Sequence, residues 1–184
     1  MITFLKTYII IGLFLTIISC QKDPDPLPAL TQDGRGTFAC RIDGEVFKPY
    51  SDDFKKSSTS ARFLKDYKTL FVGGGNDEKE NGVLIGLKNF EGKIGTYELN
   101  DICNNLPVSD ANCGAYKKSR YLSMGNNYWT TGNYKGYVKL VKCEGGSQGG
   151  TVSGTFEFEA FHPITGKTVK VTEGRFDLHY ITYY

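Results

Sequence analysis

The sequence predicts an all-β domain, either an antiparallel β-sandwich or an open barrel. Glycine is frequent, aromatic residues make up 14% of the chain and turn signals recur throughout, whereas helical periodicity is nearly absent. Short strands separated by regular turns are typical of sandwiches and barrels. The clearest strand signal is in residues 151–161, where apolar and polar side chains alternate. Period two over such a length predicts a half-buried strand.

The end of the chain predicts a three-stranded C-terminal meander with one wet face. Residues 151–161 lead into a turn that contains Pro163 and Gly166, since proline cannot donate to a ladder and glycine accepts positive φ. A second alternating run follows at residues 168–172. Glu173 and Gly174 then predict a tight connection to a third strand over residues 175–180, in which the polar positions, Asp177 among them, face solvent.

Earlier segments show the same alternation over shorter lengths. Asp43-Gly44 is a strong hairpin signal between residues 38–42 and 46–47. Residues 50–60 are polar and predict a loop. The glycines Gly73 to Gly75 lack the downstream lysine and helix of a phosphate-binding loop and predict a hairpin turn. The remaining strand predictions are residues 69–73, 82–89, 94–99, 120–124, 128–131 and 134–143.

The N-terminus has the layout of a secretory signal. Lys6 is the only charge in the first 21 residues, and residues 8–18 form an apolar run. As a helix this run would be roughly 16 Å long, about half of the ~30 Å hydrocarbon core of a bilayer. The segment therefore predicts a signal peptide over residues 1–19 and not a membrane span.

The residues Ile17-Ile18-Ser19-Cys20 resemble the lipobox of bacterial lipoproteins. The resemblance implies that Cys20 becomes the acylated N-terminus of the mature protein, with palmitate-type chains that anchor it to a bilayer. Lys22 followed by acidic residues is similar to the surface-export signal of Bacteroidota lipoproteins, although Pro24 interrupts the acidic pair. The implied location is the cell envelope, lipid-anchored at the outer membrane, with the domain either exposed at the surface or facing the periplasm. The alternative is an ordinary signal peptide that ends in a fortuitous cysteine.

The mature chain divides into a tether and one domain. Residues 20–35 hold the lipidated cysteine and a proline-rich stretch, which predicts an extended tether at about 3.1 Å per residue. Residues 36–184 are long enough for a single all-β domain with a core of ordinary size.

Four cysteines remain besides Cys20, an even number that predicts two disulfides in an oxidising compartment. Cys103 and Cys113 flank a polar insert and are expected to pair with each other. By elimination Cys40 would pair with Cys143, which requires their strands to be near neighbours. A zinc site is the competing interpretation, but no two cysteines have its short ligand spacing.

Several stretches resemble small uncharacterised Bacteroidota lipoproteins that carry a signal, a lipidated cysteine and one β-rich domain. The matching residues are 36–44, 95–99, 154–156, 165–167 and 172–176. They are turns and strand starts. The resemblance therefore implies architecture and location and carries no chemistry.

The sequence contains few groups that could act in catalysis. His179 and Asp177 could act as a base and its orienting partner, but no nucleophile lies beside them, and His162 precedes a proline in a turn. Glu157 and Glu159 would lie about 7 Å apart on one strand face, a spacing that solvated faces carry routinely. We expect no catalytic residue, no metal and no cofactor. The net charge of +2 without a basic block argues against nucleic acid.

The most suggestive stretch is residues 116–137, where aromatic side chains alternate with lysines and asparagines. Exposed aromatic rings with such neighbours suit stacking on sugar rings or on an aromatic partner surface. The same rings could instead fill the core. The ligand-binding candidates are Trp129, Tyr128, Tyr121 and Tyr134.

Two functions stay open on this sequence. The first is a non-catalytic surface binding module for a glycan or an envelope protein. The second is a structural or accessory envelope lipoprotein with no small-molecule ligand.

Overall fold

The computed structural model describes residues 26–53, 56–103, 111–118 and 124–184. The predicted signal peptide and Cys20 lie outside these residues. Within them the chain forms strands and one short 3-10 helix at Met124–Asn126. The strands are β1 (Thr37–Ile42), β2 (Glu45–Phe47), β3 (Thr59–Leu64), β4 (Thr69–Asn76), β5 (Asn81–Leu87), β6 (Gly95–Leu99), β7 (Cys113–Lys117), β8 (Asn127–Trp129), β9 (Gly136–Gly146), β10 (Gly149–Phe161) and β11 (Thr168–Tyr183).

The strands join into one large mixed sheet that is sandwich- or barrel-like, which confirms the all-β prediction. The sheet order is β2-β1-β11-β3-β4-β5-β7-β8-β10-β9-β6, and β10 also pairs with β11. A circuit of pairings closes because Phe161 at the end of β10 lies opposite Trp129 of β8. The sheet is mixed because β3 lies parallel to the last residues of β11. This long-range parallel pairing has no local sequence signal.

The chain ends in a three-stranded antiparallel meander, but its strands are not the three that were predicted, because residues 168–172 and 175–180 both belong to β11. β9, β10 and β11 are its members. Glu173 and Gly174 do not form the predicted turn. Thr172 and Glu173 instead form a bulge inside β11, opposite Glu157, where the register with β10 shifts between Phe156 and Phe158. Glu173 takes a φ of 52° there. A bulge bends a strand without ending it, so two predicted strands are one.

Both predicted hairpins are present. Asp43 and Gly44, with φ of 50° and 88°, join β1 to β2, the combination that a two-residue primed turn requires. The β4–β5 hairpin is paired from Leu70–Leu87 to Asn76–Asn81. The glycines 73–75 lie within β4 and not in its turn. Strand β3 begins inside the stretch predicted as a loop.

The inner face of the sheet encloses the main hydrophobic core. A smaller buried cluster lies on the outer face. The largest fully buried apolar side chains are Phe156, Phe176, Leu70, Ile85, Leu87, Leu99, Val72, Val83, Val138, Val152 and Val171. The smaller cluster consists of Cys103, Ala111, Cys113, Ala115 and Trp129, with Leu84 packed against it. Because strand side chains alternate between faces, the residues between the core positions of β4, β5 and β7 form an outer face.

Residues 28–35, which we call the N-terminal strap, are docked on β11. The Asp177 carboxylate accepts three successive backbone N–H bonds, from Asp33, Gly34 and Arg35 at 3.0, 2.8 and 3.1 Å. Successive backbone N–H groups of this kind form an anion-binding nest, and Gly34 has the positive φ (73°) that shapes it. The predicted free tether is therefore too long, since its last residues belong to the domain.

Two hydroxyls complete the shell of Asp177. Thr31 Oγ1 and Ser153 Oγ each donate to it at 2.6 Å. Asp177 is fully buried, which corrects the prediction that it lies on the wet face. Burial raises the pKa of Asp177, but the hydrogen bonds from Ser153, Thr31 and the backbone outweigh burial and hold the pKa well below the usual range.

The cysteines form one of the two expected disulfides. Cys103 and Cys113 are bonded, with Cα atoms 5.5 Å apart. Cys40 and Cys143 are free thiols, so the pairing predicted by elimination is wrong. β11 and β10 lie between β1 and β9, and three strand spacings amount to about 14 Å along the sheet. A disulfide needs Cα atoms within about 7 Å.

Replacing Cys103 and Cys113 by serine is expected to lower the free energy of unfolding by about 2–3 kcal/mol, because the bridge closes a short loop in the unfolded chain. Urea denaturation with and without reductant checks this. Wild type should lose stability on reduction, and the double variant should not respond. A double variant that still responds to reductant would mean that Cys40 and Cys143 are oxidised.

Within the described residues, no helix has the length and apolar character needed to cross a bilayer.

Candidate ligand-binding cleft

The aromatic residues predicted to contact a ligand are mostly internal. Trp129 and Tyr128 are only 6% and 7% exposed. Tyr134 is partly buried and stacks on Phe161, with ring centroids 5.0 Å apart. Tyr121 lies outside the described residues. The prediction of an exposed platform at Trp129 and Tyr128 is wrong, because both residues sit on β8, which closes the circuit of strands and is covered on both faces.

The other polar residues noted in the sequence have structural partners. His162 Nδ1 accepts the backbone N–H groups of Ile164 and Thr165 at 3.2 and 3.3 Å and so caps its own turn. His179 Nδ1 lies 3.3 Å from the hydroxyl of Thr151. Glu157 accepts the backbone N–H of Glu173 at 3.4 Å.

Residues 145–149 also fit the pattern G-x-S-x-G. The nucleophile elbow that this pattern marks joins a strand to a helix. Here Ser147 lies in the connection between β9 and β10, two paired strands. The match therefore carries no catalytic meaning.

A polar cleft of about 280 Å³ opens on the outer face of β3, β4 and β5. Leu70 and Val72 of β4 belong to the main core, as does Val83 of β5. By alternation, Gly73 and Gly75 of β4 and Gly82 of β5 point outward, and they line the cleft. Three outward positions without side chains thus leave the strand backbone as a floor.

The rim of the cleft is rich in hydroxyls and charges. One wall comes from the segment that leads into β3 and from β3 itself, the other from the β4–β5 turn and β7. The polar lining residues are Tyr50, Ser51, Lys56, Ser57, Ser58, Thr59, Ser60, Arg62, Asn76, Asp77, Glu80, Asn81 and Lys117.

Lys117 at the end of β7 lies across the glycine floor. It pairs with Gly82, and its Cε is 3.5 Å from the position that a Cβ on Gly82 would occupy. Burial lowers the pKa of Lys117, and no carboxylate contributes. Its ammonium has no ion pair or hydrogen bond to any described residue. Among the residues that the structure describes, this half-buried cation has no counter-charge of the kind that usually offsets lost hydration.

Tyr50 supplies an exposed ring at the mouth of the cleft and is 49% exposed. Its backbone is fixed at the end of β4, because its N–H donates to Gly75 O at 3.0 Å and its carbonyl accepts from Asp77 N at 2.9 Å. The exposed ring is therefore attached to a backbone that two hydrogen bonds fix in position. A fixed aromatic ring beside hydroxyls and cations suits stacking on a polar cyclic ligand.

The cleft carries charges of both signs, and they come from different elements of the fold. Arg62 lies over the ring of Tyr183, with 6.0 Å from Cζ to the centroid, and Lys56 pairs with Asp53 at 3.5 Å. The two acidic groups, Asp77 and Glu80, lie in the β4–β5 turn. Asp77 accepts a hydrogen bond from Ser51 Oγ at 3.1 Å. The cations thus reach the cleft from β3, from β7 and from the segment before β3, and the acids from one turn.

Lys117→Met is expected to raise the free energy of unfolding by about 0.5–2 kcal/mol in the absence of ligand, because it keeps the apolar stem and removes a half-buried charge. Lys118→Met is the matched control, since Lys118 is exposed at the next position and should change stability by less than about 0.5 kcal/mol. Thermal and urea unfolding measure both. A clear destabilisation by Lys117→Met would show that Lys117 supports the fold.

The cleft is not predicted by the sequence alone. Its one signal is a run of three glycines within an otherwise apolar strand, which was predicted to be a turn. Lys117 was noted only as a neighbour of aromatic residues, and Tyr50 only as the start of a loop. Recognising the cleft requires the pairing of β4 with β5 and β7, which places Gly75, Gly82 and Lys117 in one row.

The fold and the cleft together define an all-β domain with a polar, glycine-floored recess on its outer face. Residues 43–177 match the family described as a domain of unknown function, DUF6252, and the chain belongs to this family. No curated protein and no solved structure matches the chain.

Proposed function

We propose that this protein is a lipid-anchored cell-envelope lipoprotein whose β domain binds a glycan, without catalysis, in the glycine-floored cleft. The observation that carries the proposal is the cleft itself, where the exposed ring of Tyr50 and the ammonium of Lys117, which has no ion pair with a described residue, border a bare backbone floor. Hydroxyls line the remaining rim. A few placed polar groups around a recess are typical of small-ligand sites.

The anchor is proposed from the lipobox-like residues that end at Cys20. The docked strap then limits the distance of the domain from the membrane. Arg175 Nη1 donates to Pro28 O at 3.1 Å, so the chain is held to β11 from Pro28 onward. Residues 21–27 alone would separate the anchor from the domain, a reach of at most about 25 Å. The domain would therefore lie close to the bilayer surface.

Metabolic labelling with an alkyne fatty acid tests the anchor. We expect label on the wild-type protein in the membrane fraction and none on Cys20→Ser, which should leave that fraction. Cys143→Ser is the control and should stay labelled. Label on Cys20→Ser, or none on wild type, would contradict the anchor.

Protease treatment of intact cells tests the outward orientation. A surface protein should be degraded without disruption of the outer membrane, and a periplasmic one only after disruption.

A glycan array tests the binding function. The full chain should bind at least one glycan, and Tyr50→Ala should lose that binding. Tyr67→Ala is the matched control, because Tyr67 is 58% exposed in the turn between β3 and β4 and does not line the cleft. Equal loss for both variants, or no binding by folded wild type, would contradict glycan binding. The alternative would then be an accessory envelope function without a small-molecule ligand. Coprecipitation of envelope proteins with the full chain tests that alternative.

A further inference from the structure

The charges in the cleft point to the class of glycan. Lys117 is held against the backbone of Gly82, and no counter-charge from the described part of the chain reaches it; burial is the one cause that lowers its pKa. Arg62 has a ring contact with Tyr183 and no ion pair among the described residues. An anionic group on the ligand would supply the missing charge to Lys117 in a partly desolvated place, where a charge-assisted hydrogen bond is strongest.

The acidic rim residues do not fill this role. Asp77 is hydrogen-bonded by Ser51 on the Tyr50 side of the cleft. Glu80 forms no ion pair with Lys117, although it lies only two positions before Gly82, the backbone partner of Lys117. Both carboxylates lie at the β4–β5 turn, so they would repel an anion placed there and favour its placement over Gly82.

The shape of the cleft limits the size of the group. Its volume of about 280 Å³ lies just below the roughly 300 Å³ at which small-molecule pockets begin. A substituent on Gly73 would meet Val83 O at 2.8 Å, and one on Gly82 would meet Gly74 O at 3.0 Å. The floor thus stays bare, and the space suits one residue or one end of a polymer.

We propose that the cleft binds an acidic sugar residue, with its carboxylate or sulfate on Lys117 and its ring against Tyr50. This inference rests on the proposed glycan-binding function and adds the charge of the ligand. Arg62 on the opposite wall contributes long-range attraction. The hydroxyls of Ser58 and Ser60, which line the same wall, supply hydrogen-bond partners for the hydroxyls of the sugar.

The test uses the full chain in detergent with three labelled polymers: polygalacturonate, which carries carboxylates, dextran sulfate, which carries sulfates, and neutral dextran. We expect at least one acidic polymer to bind at least tenfold more tightly than dextran. Lys117→Met should weaken that binding at least tenfold, and Lys117→Arg should restore it to within about threefold. Binding should weaken as salt rises, as for a charge-dependent contact.

Lys118→Met separates the cleft from a general attraction between a basic protein and a polyanion. It removes the same charge at an exposed neighbouring position and should change binding less than twofold. Equal losses for Lys117→Met and Lys118→Met would overturn the proposal. Circular dichroism and thermal unfolding of each variant confirm that the comparison is between folded proteins.

The two proposals fail in different ways. Binding of dextran that depends on Tyr50 and not on Lys117 would overturn the acidic-sugar inference and leave glycan binding standing. Binding of none of the three polymers by folded wild type would overturn the acidic-sugar inference, and an empty glycan array would overturn the binding function with it.

Discussion

Asp177→Asn is expected to lower the free energy of unfolding by about 3 kcal/mol and to release the N-terminal strap. The buried carboxylate accepts donors on both oxygens: Gly34 N and Ser153 Oγ on Oδ1, and backbone and hydroxyl donors of the strap on Oδ2. An amide has one accepting oxygen, so in either orientation its NH₂ group would face at least one backbone N–H of the strap, which cannot accept a hydrogen bond as a hydroxyl can. Hydrogen bonds to a charged group contribute about 1.5–3 kcal/mol each, and they are not additive.

Two measurements follow this change. Urea denaturation gives the loss of stability, and limited proteolysis should cut the variant within residues 28–35 much faster than wild type. Asp33→Asn is the control, because Asp33 forms an exposed ion pair with Arg35 and such pairs contribute little. If Asp177→Asn kept wild-type stability and an uncut strap, the carboxylate would not hold the strap in solution.

The effect of Asp177 should also depend on pH in a defined direction. Its pKa is depressed in the folded protein, so its stabilisation is complete above the unfolded pKa of about 3.9 and is lost as the pH falls through the lower folded pKa. The stability difference between wild type and Asp177→Asn should be constant above about pH 5 and should shrink below about pH 4. A difference that grows on acidification would have the wrong sign.

Trp129→Ala is expected to destabilise the protein by about 3–5 kcal/mol, as large-to-small changes at buried aromatic residues do. The indole packs with Ala115, Leu84 and the Cys103–Cys113 bridge. The removal of its ring leaves a cavity beside a rigid disulfide, where the surroundings cannot easily close. Tyr137→Ala is the control, since Tyr137 is an exposed aromatic residue on β9 and should cost far less.

The single tryptophan of the chain makes this environment directly measurable. Native emission should be blue-shifted and poorly quenched by iodide, and both properties should be lost on unfolding. A solvent-exposed spectrum, together with unchanged stability of Trp129→Ala, would instead support the ligand platform that the sequence suggested.

The sequence predicted features that depend on neighbouring residues. Alternation marked β10, and Asp43-Gly44 marked the β1–β2 turn, because a strand face and a primed turn each need only a few adjacent residues. Cys103 and Cys113 are also close in the chain. Local patterns therefore carried the all-β class, one disulfide and most of the strand positions.

The features that the sequence did not predict depend on distant partners. Asp177 occupies a polar position in an alternating strand, and four of the hydrogen bonds that it accepts come from a segment more than 140 positions away. The predicted disulfide between Cys40 and Cys143 was wrong because an even number of cysteines carries no information on strand order. The cleft needs three strands in register, so no single stretch could mark it.

The prediction that Trp129 lies on an exposed platform was wrong for a different reason. Aromatic residues interleaved with lysine and asparagine occur both on exposed platforms and on short strands covered on both faces, and composition alone does not separate the two. The alternation of β8 is too short, at three residues, to show which side is inside. Only the pairing of Trp129 with Ala115 and Phe161 places it in the smaller buried cluster beside the disulfide.

The mass of the intact protein recovered from cell membranes tests the central claim, that this domain works from a lipid anchor. We predict a polypeptide that starts at Cys20, with a mass increased by a diacylglyceryl group and an amide-linked acyl chain. A polypeptide recovered with an unmodified Cys20 thiol, or the whole chain from Met1 in the soluble fraction, would contradict the account.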